Sequence, residues 1–192
     1  MKTFAEDIFT KITIEHNTAS YDDSEMVMAS INGKIYTSSP TPDLPIGVFS
    51  GSMFPLQSDD DCSYLYEAMD SQSQELMECW EAINASMENE AFAEGFTMCN
   101  NLVIIGSIEI EKAYRGKGVG LEVLNQIIGK LPSTLFMILP CPLNTFSDRK
   151  YETRKTYGKK RLTEYWKKLG FSKMANGYYF LDNNLRHPEL EG

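Results

Sequence analysis

The chain has 192 residues, 42% of them apolar, and a formal net charge of -9 at neutral pH. A chain of this length can bury one substantial core, so we expect a single domain over residues 1–192. No apolar run approaches the roughly 20 residues that span a bilayer, and no basic segment precedes an apolar run near the N-terminus. We therefore expect a cytoplasmic protein that does not contact a membrane.

The cysteines and histidines argue against two classes of small structural site. The four cysteines show no CxxC spacing, and the two histidines, His16 and His187, lie near opposite ends of the chain. Neither a zinc cluster nor a disulfide framework is expected from this spacing. We expect no metal site and four reduced, mostly buried thiols.

The charges are divided along the sequence. The stretch from Ile35 to Glu111 has 14 acidic residues and no Lys or Arg, whereas Lys112 to Lys168 has 13 basic residues against four acids. An acidic half would attract a cationic molecule and a basic half an anionic one. Charge runs can also simply solvate a surface, and the sequence leaves both interpretations open.

Residues 8–38 alternate apolar and polar side chains, which predicts β-structure at the N-terminus. Asn32-Gly33 is typical of a type I′ turn, so we expect a β-hairpin that turns there. Three prolines then precede IGVFSGSMF, residues 46–54, a candidate short strand. Over residues 63–87 the apolar side chains recur at helical spacing, which predicts one or two helices with a break near residues 70–73.

The second half predicts a mixed α/β arrangement. We expect strands at about residues 96–111 and 134–140 and at YYFLD, residues 178–182, with helices at about 118–131 and 157–169. In the helix at 118–131, Leu121, Leu124 and Ile128 fall on one stripe, which predicts a core-facing side. The expected fold is one mixed, mostly antiparallel sheet flanked by helices, with residues 1–95 adding the hairpin and the helices that follow it.

The most informative segment is the turn Arg115-Gly116-Lys117-Gly118-Val119-Gly120, between a strand and a helix. Its glycines allow backbone N–H groups to converge, and the first helical turn leaves its own N–H donors unpaired. The turn therefore predicts a diphosphate site, although an ordinary strand-to-helix connection is the alternative. Its spacing matches neither GxxxxGK[ST] nor GxGxxG.

This turn resembles the acyl-CoA pyrophosphate loop, [QR]xxGx[GA], of the GNAT superfamily of N-acetyltransferases. Residues 162–171, LTEYWKKLGF, are similar to the second hallmark of that family, a short helix written YxKxGF. Between them lies the apolar run STLFMILPCPL, residues 133–143, where the family has its fifth strand. The resemblance covers about residues 102–182 and implies a GNAT-like fold, with residues 96–182 as the acetyl-CoA-binding core and acetyl-CoA as co-substrate.

The resemblance also assigns roles to residues. The loop from Arg115 to Gly120 would bind the diphosphate, and the strand that carries Ile108 and Ile110 would pair through its backbone with the amides of pantetheine. An amine of pKa ~10.4 is almost fully protonated at pH 7, so the reaction needs a base. Glu109 is our candidate because it lies on the strand that would hold the thioester. The other candidate bases are Glu111, Glu67 and Asp70, and for each of the four, Glu109 included, a solvated carboxylate is the simpler interpretation.

The second hallmark departs from the family at its tyrosine. Trp166 stands at that position and Tyr165 precedes it. An indole cannot release a proton usefully to a leaving thiolate, so Tyr165 is our candidate acid, with Tyr157, Tyr151 or water as alternatives. Packing of both aromatics in the core is equally open.

The basic segment at residues 147–161 is open to three interpretations. It could be a solvated loop, a nucleic-acid contact, or the site of the CoA 3′-phosphate. The sequence pI of about 4.8 argues against nucleic acid. The candidate phosphate ligands are Arg149, Arg154, Lys155 and Arg161.

The sequence thus predicts an acetyl-CoA-dependent N-acetyltransferase that moves an acetyl group to a primary amine by direct attack on the thioester. The acceptor would be a small molecule or a protein, and the acidic half favours a cationic one. The alternative is a catalytically impaired acyl-CoA-binding or protein-interaction module on the same fold, which Trp166 favours. The sequence leaves the oligomeric state open, a homodimer included.

Overall fold

The structure, a computed structural model, describes residues 8–21, 24–37, 44–56, 63–139 and 151–184. Side chains are described over the same ranges except at 16–21, 24–27 and 151–159. The strands are β1 Ile8–Tyr21, β2 Ser24–Thr37, β3 Gly47–Pro55, β4 Asn101–Ile110, β5 Thr134–Ile138, β6 Ser172–Lys173 and β7 Tyr179–Asp182. The helices are α1 Ser63–Asp70, α2 Gln74–Asn84, α3 Glu90–Met98, α4 Val119–Lys130 and α5 Tyr151–Lys168.

The seven strands form one sheet in the order β1-β2-β3-β4-β5-β7-β6. Every neighbouring pair is antiparallel except β4 and β5, which are parallel. The expected α/β class with a mostly antiparallel sheet is therefore confirmed. Within the described part of the chain, no helix is long and apolar enough to cross a membrane.

The sheet is buried between two helical layers, and β4 shows how the sequence supplies both faces. Val103 and Ile105 pack in a core that includes the buried face of α4, whereas Leu102 and Ile104 pack in a second core with α1, α2 and α3. Successive side chains of a strand point to opposite faces, so a strand covered on both faces is a continuous apolar run. That is the pattern of LVII, residues 102–105.

Two helices of the layer over β4 and β5 begin at residues whose side chains cap them. The side chain of Ser73 accepts a hydrogen bond from the Leu76 amide, and that of Asn89 accepts one from the Phe92 amide. These two N-caps start α2 and α3. The predicted break near residues 70–73 is confirmed. The predicted strand start at residue 96 is wrong, because residues 96–98 form the last turn of α3 and β4 begins at Asn101.

The predicted turn at Asn32-Gly33 is also wrong. Both residues lie inside β2, where Asn32 pairs with Thr13 and Gly33 with Ile12. The pairing of β1 with β2 instead runs through to Tyr21 and Ser24. Glycine is needed at position 33 for another reason: a Cβ there would overlap the ring of Phe49 on β3 and the backbone oxygen of Lys11 on β1. The aromatic ring covers the glycine across the strand pair, and this packing gives the same dipeptide a different role.

We expect Gly33→Ala to lower the free energy of unfolding by about 2 kcal/mol, the usual cost of overpacking a filled site. In a Phe49→Leu background the cost should fall by the part due to the ring but not vanish, since the Lys11 backbone oxygen lies 2.5 Å from the added Cβ in either background. Urea unfolding measures both. Gly129→Ala is the matched control, because no atom lies within 4 Å of its added Cβ. An equal cost of Gly33→Ala in both backgrounds would contradict this account.

Two of the four cysteines lie in the described residues, and both are buried thiols, Cys79 and Cys99. Burial raises the pKa of both, and it raises the pKa of Cys99 to about 12 with a further contribution from the Asp182 carboxylate. The Cys99 thiol donates to Asp182 Oδ1 at 3.4 Å. Such thiols stay protonated at neutral pH and are poor nucleophiles. Cys62 and Cys141 lie outside the described residues.

Candidate functional site

The pairing of the two parallel strands, β4 and β5, ends part of the way along β4. Their pairing runs from Asn101 with Thr134 to Ile105 with Ile138. There β5 ends, while β4 continues for five more residues to Ile110 and pairs over that stretch with β3 alone. Over residues 106–110 the other edge of β4 is open, in that no residue of the described chain pairs with it. Backbone N–H and C=O groups on an open edge can pair with the amide groups of a ligand.

A bulge in β4 lies where the strands separate. Ser50 of β3 pairs with Ser107, and the next β3 residue, Gly51, pairs with Ile105, so Gly106 has no partner on β3. An extra residue of this kind bends the strand and increases its twist. This bulge was not among the features predicted from the sequence, although a glycine inside an apolar strand is its usual signal.

The space between the separated strands is a cleft of about 370 Å³. Its walls come from the open part of β4, the glycine loop, the first turn of α4, the end of β5 and one face of α5. Most of the lining side chains are apolar. The lining residues are Ile105, Gly106, Ser107, Ile108, Ile110, Tyr114, Arg115, Gly116, Gly118, Val119, Gly120, Leu121, Ile138, Leu139, Arg161, Leu162, Tyr165 and Trp166.

The glycine loop enters the cleft with its backbone in the left-handed region. Gly116 has φ 77° and Gly118 has φ 84°, a conformation that glycine adopts at little cost. No atom lies within 4 Å of a Cβ built on either residue. The glycines are thus required by backbone geometry, and the space beside them is open.

Gly118 is also the N-cap of α4, and it has no side chain to accept from the first helical amides. The amides of Leu121 and Glu122 donate to Gly118 O at 3.0 and 3.2 Å. The amides of Val119 and Gly120 precede these bonds, and a helix supplies no internal acceptor at such positions. Both residues line the cleft. Their partial positive charge suits an anionic ligand.

Arg115 fixes the loop to the open strand. Its Nε donates to Ile110 O at 2.7 Å, which joins the first loop residue to the end of β4. Lys117 does not line the cleft; its Nζ lies 5.5 Å from the ring centroid of Tyr114. Of the eight residues expected to bind the cofactor, the structure brings the other seven together in the cleft and places Lys117 outside it.

Tyr165, the candidate acid, lines the cleft from α5 and is half-buried. Its hydroxyl oxygen accepts from Arg161 Nε at 3.1 Å and from Arg161 Nη2 at 3.0 Å. Lys168 Nζ lies 6.0 Å from the centroid of the same ring. A phenol whose oxygen accepts from a guanidinium keeps its own proton to donate to another acceptor.

Trp166, at the family's tyrosine position, both packs in the core and lines the cleft. Its ring lies 6.4 Å from the ring of Phe171, centroid to centroid, and 7% of the residue is exposed. Its indole Nε1 has no hydrogen-bond acceptor in the described part of the chain.

The candidate bases do not line the cleft. Glu109 is exposed and lies on the face of β4 opposite Ile108 and Ile110. Glu111, Glu67 and Asp70 are exposed as well and are not part of the lining. The structure therefore brings Tyr165 together with the glycine loop but leaves these carboxylates apart from both. The role of Glu109 stays a prediction.

Several predicted contacts fall where side chains are not described. Arg149 lies outside the described residues, and the side chains of four further candidates on α5 do too: Tyr151, Arg154, Lys155 and Tyr157. Arg161 is the one candidate phosphate ligand whose side chain is described, and it lines the cleft. Among described residues, no three His, Cys, Asp or Glu side chains form a group that could hold a metal ion.

Ser107 is a further cleft residue that the sequence analysis did not indicate. Its hydroxyl lies 2.9 Å from the hydroxyl of Ser50 on β3. No sequence signal marks this pair, because the bulge sets which β3 residue faces Ser107. The two hydroxyls are the polar groups of β3 and β4 next to the point of separation.

A scan against protein-family models found no match to the chain, and searches of curated proteins and of solved structures found none either. Function therefore has to be argued from the geometry and chemistry of the cleft.

The loop geometry gives a charge-only test of the diphosphate site. Asn and Asp have nearly the same shape, both tolerate the left-handed region, and both suit an N-cap. We expect Gly118→Asn to keep measurable acetyl-CoA affinity and Gly118→Asp to lose at least tenfold more, since its carboxylate would repel the diphosphate. Calorimetry gives the affinities, and thermal unfolding shows that both variants fold. Equal affinities in the two variants would contradict a phosphate site here.

Proposed function

We propose that the chain is an acetyl-CoA-dependent N-acetyltransferase of the GNAT superfamily. The observation that carries the proposal is the cleft, in which an open strand edge, an apolar wall and a glycine loop at a helix N-terminus meet. Each of these suits one part of acyl-CoA: the amides of pantetheine, its methylene groups and the diphosphate. The cleft volume lies within the range of small-molecule sites, about 300–1,000 Å³.

The three parts of the cleft predict how acetyl-CoA would bind. The backbone amides of Val119 and Gly120 at the start of α4 would hold the diphosphate. The open edge of β4 would pair with the pantetheine amides as an added strand does. Arg161 lines the same cleft and can contact a further phosphate oxygen.

The transfer itself needs few side chains. The nitrogen of a neutral amine attacks the thioester carbonyl carbon, and a β4 backbone N–H stabilises the oxygen as it gains charge. The C–N bond forms, the C–S bond breaks, and the amine proton passes to a carboxylate or to water. Tyr165 donates its proton to the departing thiolate, and the Arg161 guanidinium stabilises the phenolate left behind.

The surface of α1, α2 and α3 favours a cationic acceptor. This layer packs on the face of the sheet opposite α4. No Lys or Arg occurs from residue 63 to residue 98, so the local field is negative and attracts an ammonium group. Its acids, all exposed, are Glu67, Asp70, Glu75, Glu78, Glu81, Glu88, Glu90 and Glu94.

A second candidate function is an acyl-CoA-binding module without catalysis. Trp166 at the usual tyrosine position favours it, and the described part of the cleft contains no carboxylate base. Thiol release from acetyl-CoA across a panel of polyamines, aminoglycosides, amino acids and peptides separates the two. Binding of acetyl-CoA with no turnover on any amine would select the module.

Tyr165→Phe should lower kcat by roughly 10²-fold, the usual contribution of a general acid, with little change in acetyl-CoA affinity. Steady-state kinetics and calorimetry measure the two effects. Tyr66→Phe is the control, since Tyr66 is exposed on α1 and does not line the cleft. Unchanged turnover in Tyr165→Phe would transfer the role to another tyrosine or to water.

The acidic layer makes the reaction with a polycationic amine sensitive to salt. Raising ionic strength from 0.01 to 0.15 M shortens the Debye length from about 30 to about 8 Å. We expect kcat/KM for spermidine to fall several-fold over this range, and kcat/KM for a neutral amine to change little. Glu67→Gln with Asp70→Asn should reduce the salt effect. Equal salt dependence for both acceptors would show that the acids only solvate the surface.

A further inference from the structure

We propose that the acceptor carries an anionic group about 10–14 Å from the amine that is acetylated, a distance of two or three strand spacings. The anionic group would lie against Lys34 and Lys11, on the exposed face of the sheet beside the cleft. This inference rests on the proposed function and names its substrate class: an amine that is positive at the reacting end and negative at the far end.

Four side chains form a row across strands β1 to β4, one from each strand. Lys11 of β1 pairs with Lys34 of β2, which pairs with Val48 of β3. Val48 in turn pairs with Glu109 of β4. Directly paired residues share one face of a sheet, and all four of these are exposed. This charged row therefore runs from a carboxylate on β4, past an apolar residue, to two ammonium groups at the edge of the sheet.

The two lysines of the charged row repel each other. Like charges directly opposite on neighbouring strands are destabilising. The neighbours of Lys11 along this face of β1 are Phe9 and Thr13, and the neighbours of Lys34 along β2 are uncharged as well. No carboxylate therefore stands beside or opposite either ammonium group in the paired register of β1, β2 and β3. An anion bound between the two lysines would replace their repulsion with charge-assisted hydrogen bonds.

The β4 end of the charged row lies at the edge where the thioester would be held. Ile108 and Ile110 line the cleft and pack against the core that includes α4, so Glu109 between them points to the other face. The open edge at residues 106–110 borders both faces, and an amine can approach it from the side of Glu109. The acidic helices α1, α2 and α3 pack on that same side of β4. The surface is thus negative at β4, which suits the ammonium end of the acceptor, and positive at β1 and β2.

A second row on the same face is neutral and lies one step nearer the point where β4 and β5 stop pairing. Its members, again one from each strand and in direct register, are Thr13, Asn32, Ser50 and Ser107. The hydroxyl oxygens of Ser50 and Ser107 lie 2.9 Å apart. Hydroxyl and amide side chains both donate and accept hydrogen bonds. They suit the polar groups of a molecule that lies across the strands, with its amine at β4 and its anionic group at β2 or β1.

The spacing of the strands sets the length of the acceptor. Neighbouring strands lie about 4.8 Å apart, which puts β2 about 10 Å and β1 about 14 Å from β4. An extended peptide spans about 3.3–3.6 Å per residue, so the carboxylate of a tripeptide can reach Lys34 when its amine lies at β4. Triglycine and triglycine amide are therefore matched probes, which differ only in the charge of the far end.

The test compares kcat/KM for acetyl transfer to these two tripeptides at low ionic strength. We expect triglycine to exceed triglycine amide by about fivefold, the size of an exposed ion pair. Lys11→Gln with Lys34→Gln should bring the ratio to about one by lowering the rate with triglycine. Lys11→Glu with Lys34→Glu should reverse the preference, because the far carboxylate would then be repelled.

The matched control is Lys167→Gln with Lys173→Gln, which removes the same charge from exposed lysines on α5 and β6. Neither residue belongs to the charged row, so the ratio of the two tripeptides should equal that of the native chain. A ratio that falls as far in this control as in the Lys11 and Lys34 variant would show an effect of net charge alone and would overturn the inference.

The remaining outcomes separate the inference from the proposed function. Equal rates with the two tripeptides in the native chain overturn the inference and leave the proposed function standing. Turnover of polyamines without turnover of triglycine does the same. Absence of acetyl-CoA binding, or of turnover on every amine tested, overturns the proposed transferase and the inference with it.

Discussion

The site depends on one constraint: a strand in the middle of a sheet loses its partner on one side while it continues. Backbone polar groups must find partners, and β5 provides them for β4 only up to Ile105. Beyond that residue the bulge at Gly106 turns β4, and over five residues no part of the described chain pairs with that edge. The cleft exists because of this edge, and a ligand with amide groups is the natural partner for it.

The surrounding elements follow from where that edge lies. Arg115 ties the glycine loop to Ile110 O, so the helix N-terminus opens at the end of the same strand. Helix α5 supplies the wall that β5 would have occupied, with Tyr165 and Trp166 side by side. The two layers also differ in charge. The charged residues of α1, α2 and α3 are all acidic, whereas Arg115 and Arg161 line the cleft on the other side. An anionic cofactor and a cationic acceptor would thus be favoured on different faces.

Local sequence signals predicted several elements around the cleft. The RGKGVG spacing indicated the loop, and the helical stripe indicated α4, because both depend on neighbours in sequence. Asn32-Gly33 was misinterpreted because its glycine is required by Phe49 on another strand, which no local pattern reveals. Gly106 inside an apolar strand was a local signal of a bulge that was not used, whereas the partner of Ser107 depends on pairing with β3 and has no local signal.

Some candidate residues of the site could be placed from the local sequence pattern, and others could not. Alternation along β4 was enough to separate Ile108 and Ile110 from Glu109, yet the expectation for Glu109 rested on its strand and ignored its face. The position of Tyr165 beside Trp166 in the lining of the cleft depends on how α5 packs and could not be derived from spacing.

The most direct test of the central claim is amide hydrogen exchange with and without acetyl-CoA. The account predicts added protection at residues 106–110, where the open edge would gain hydrogen bonds, and at residues 115–121 of the loop and first helical turn. The paired strands β1 and β2 should not change. Protection confined to other segments, or none at saturating acetyl-CoA, would contradict the claim that this cleft is an acyl-CoA site.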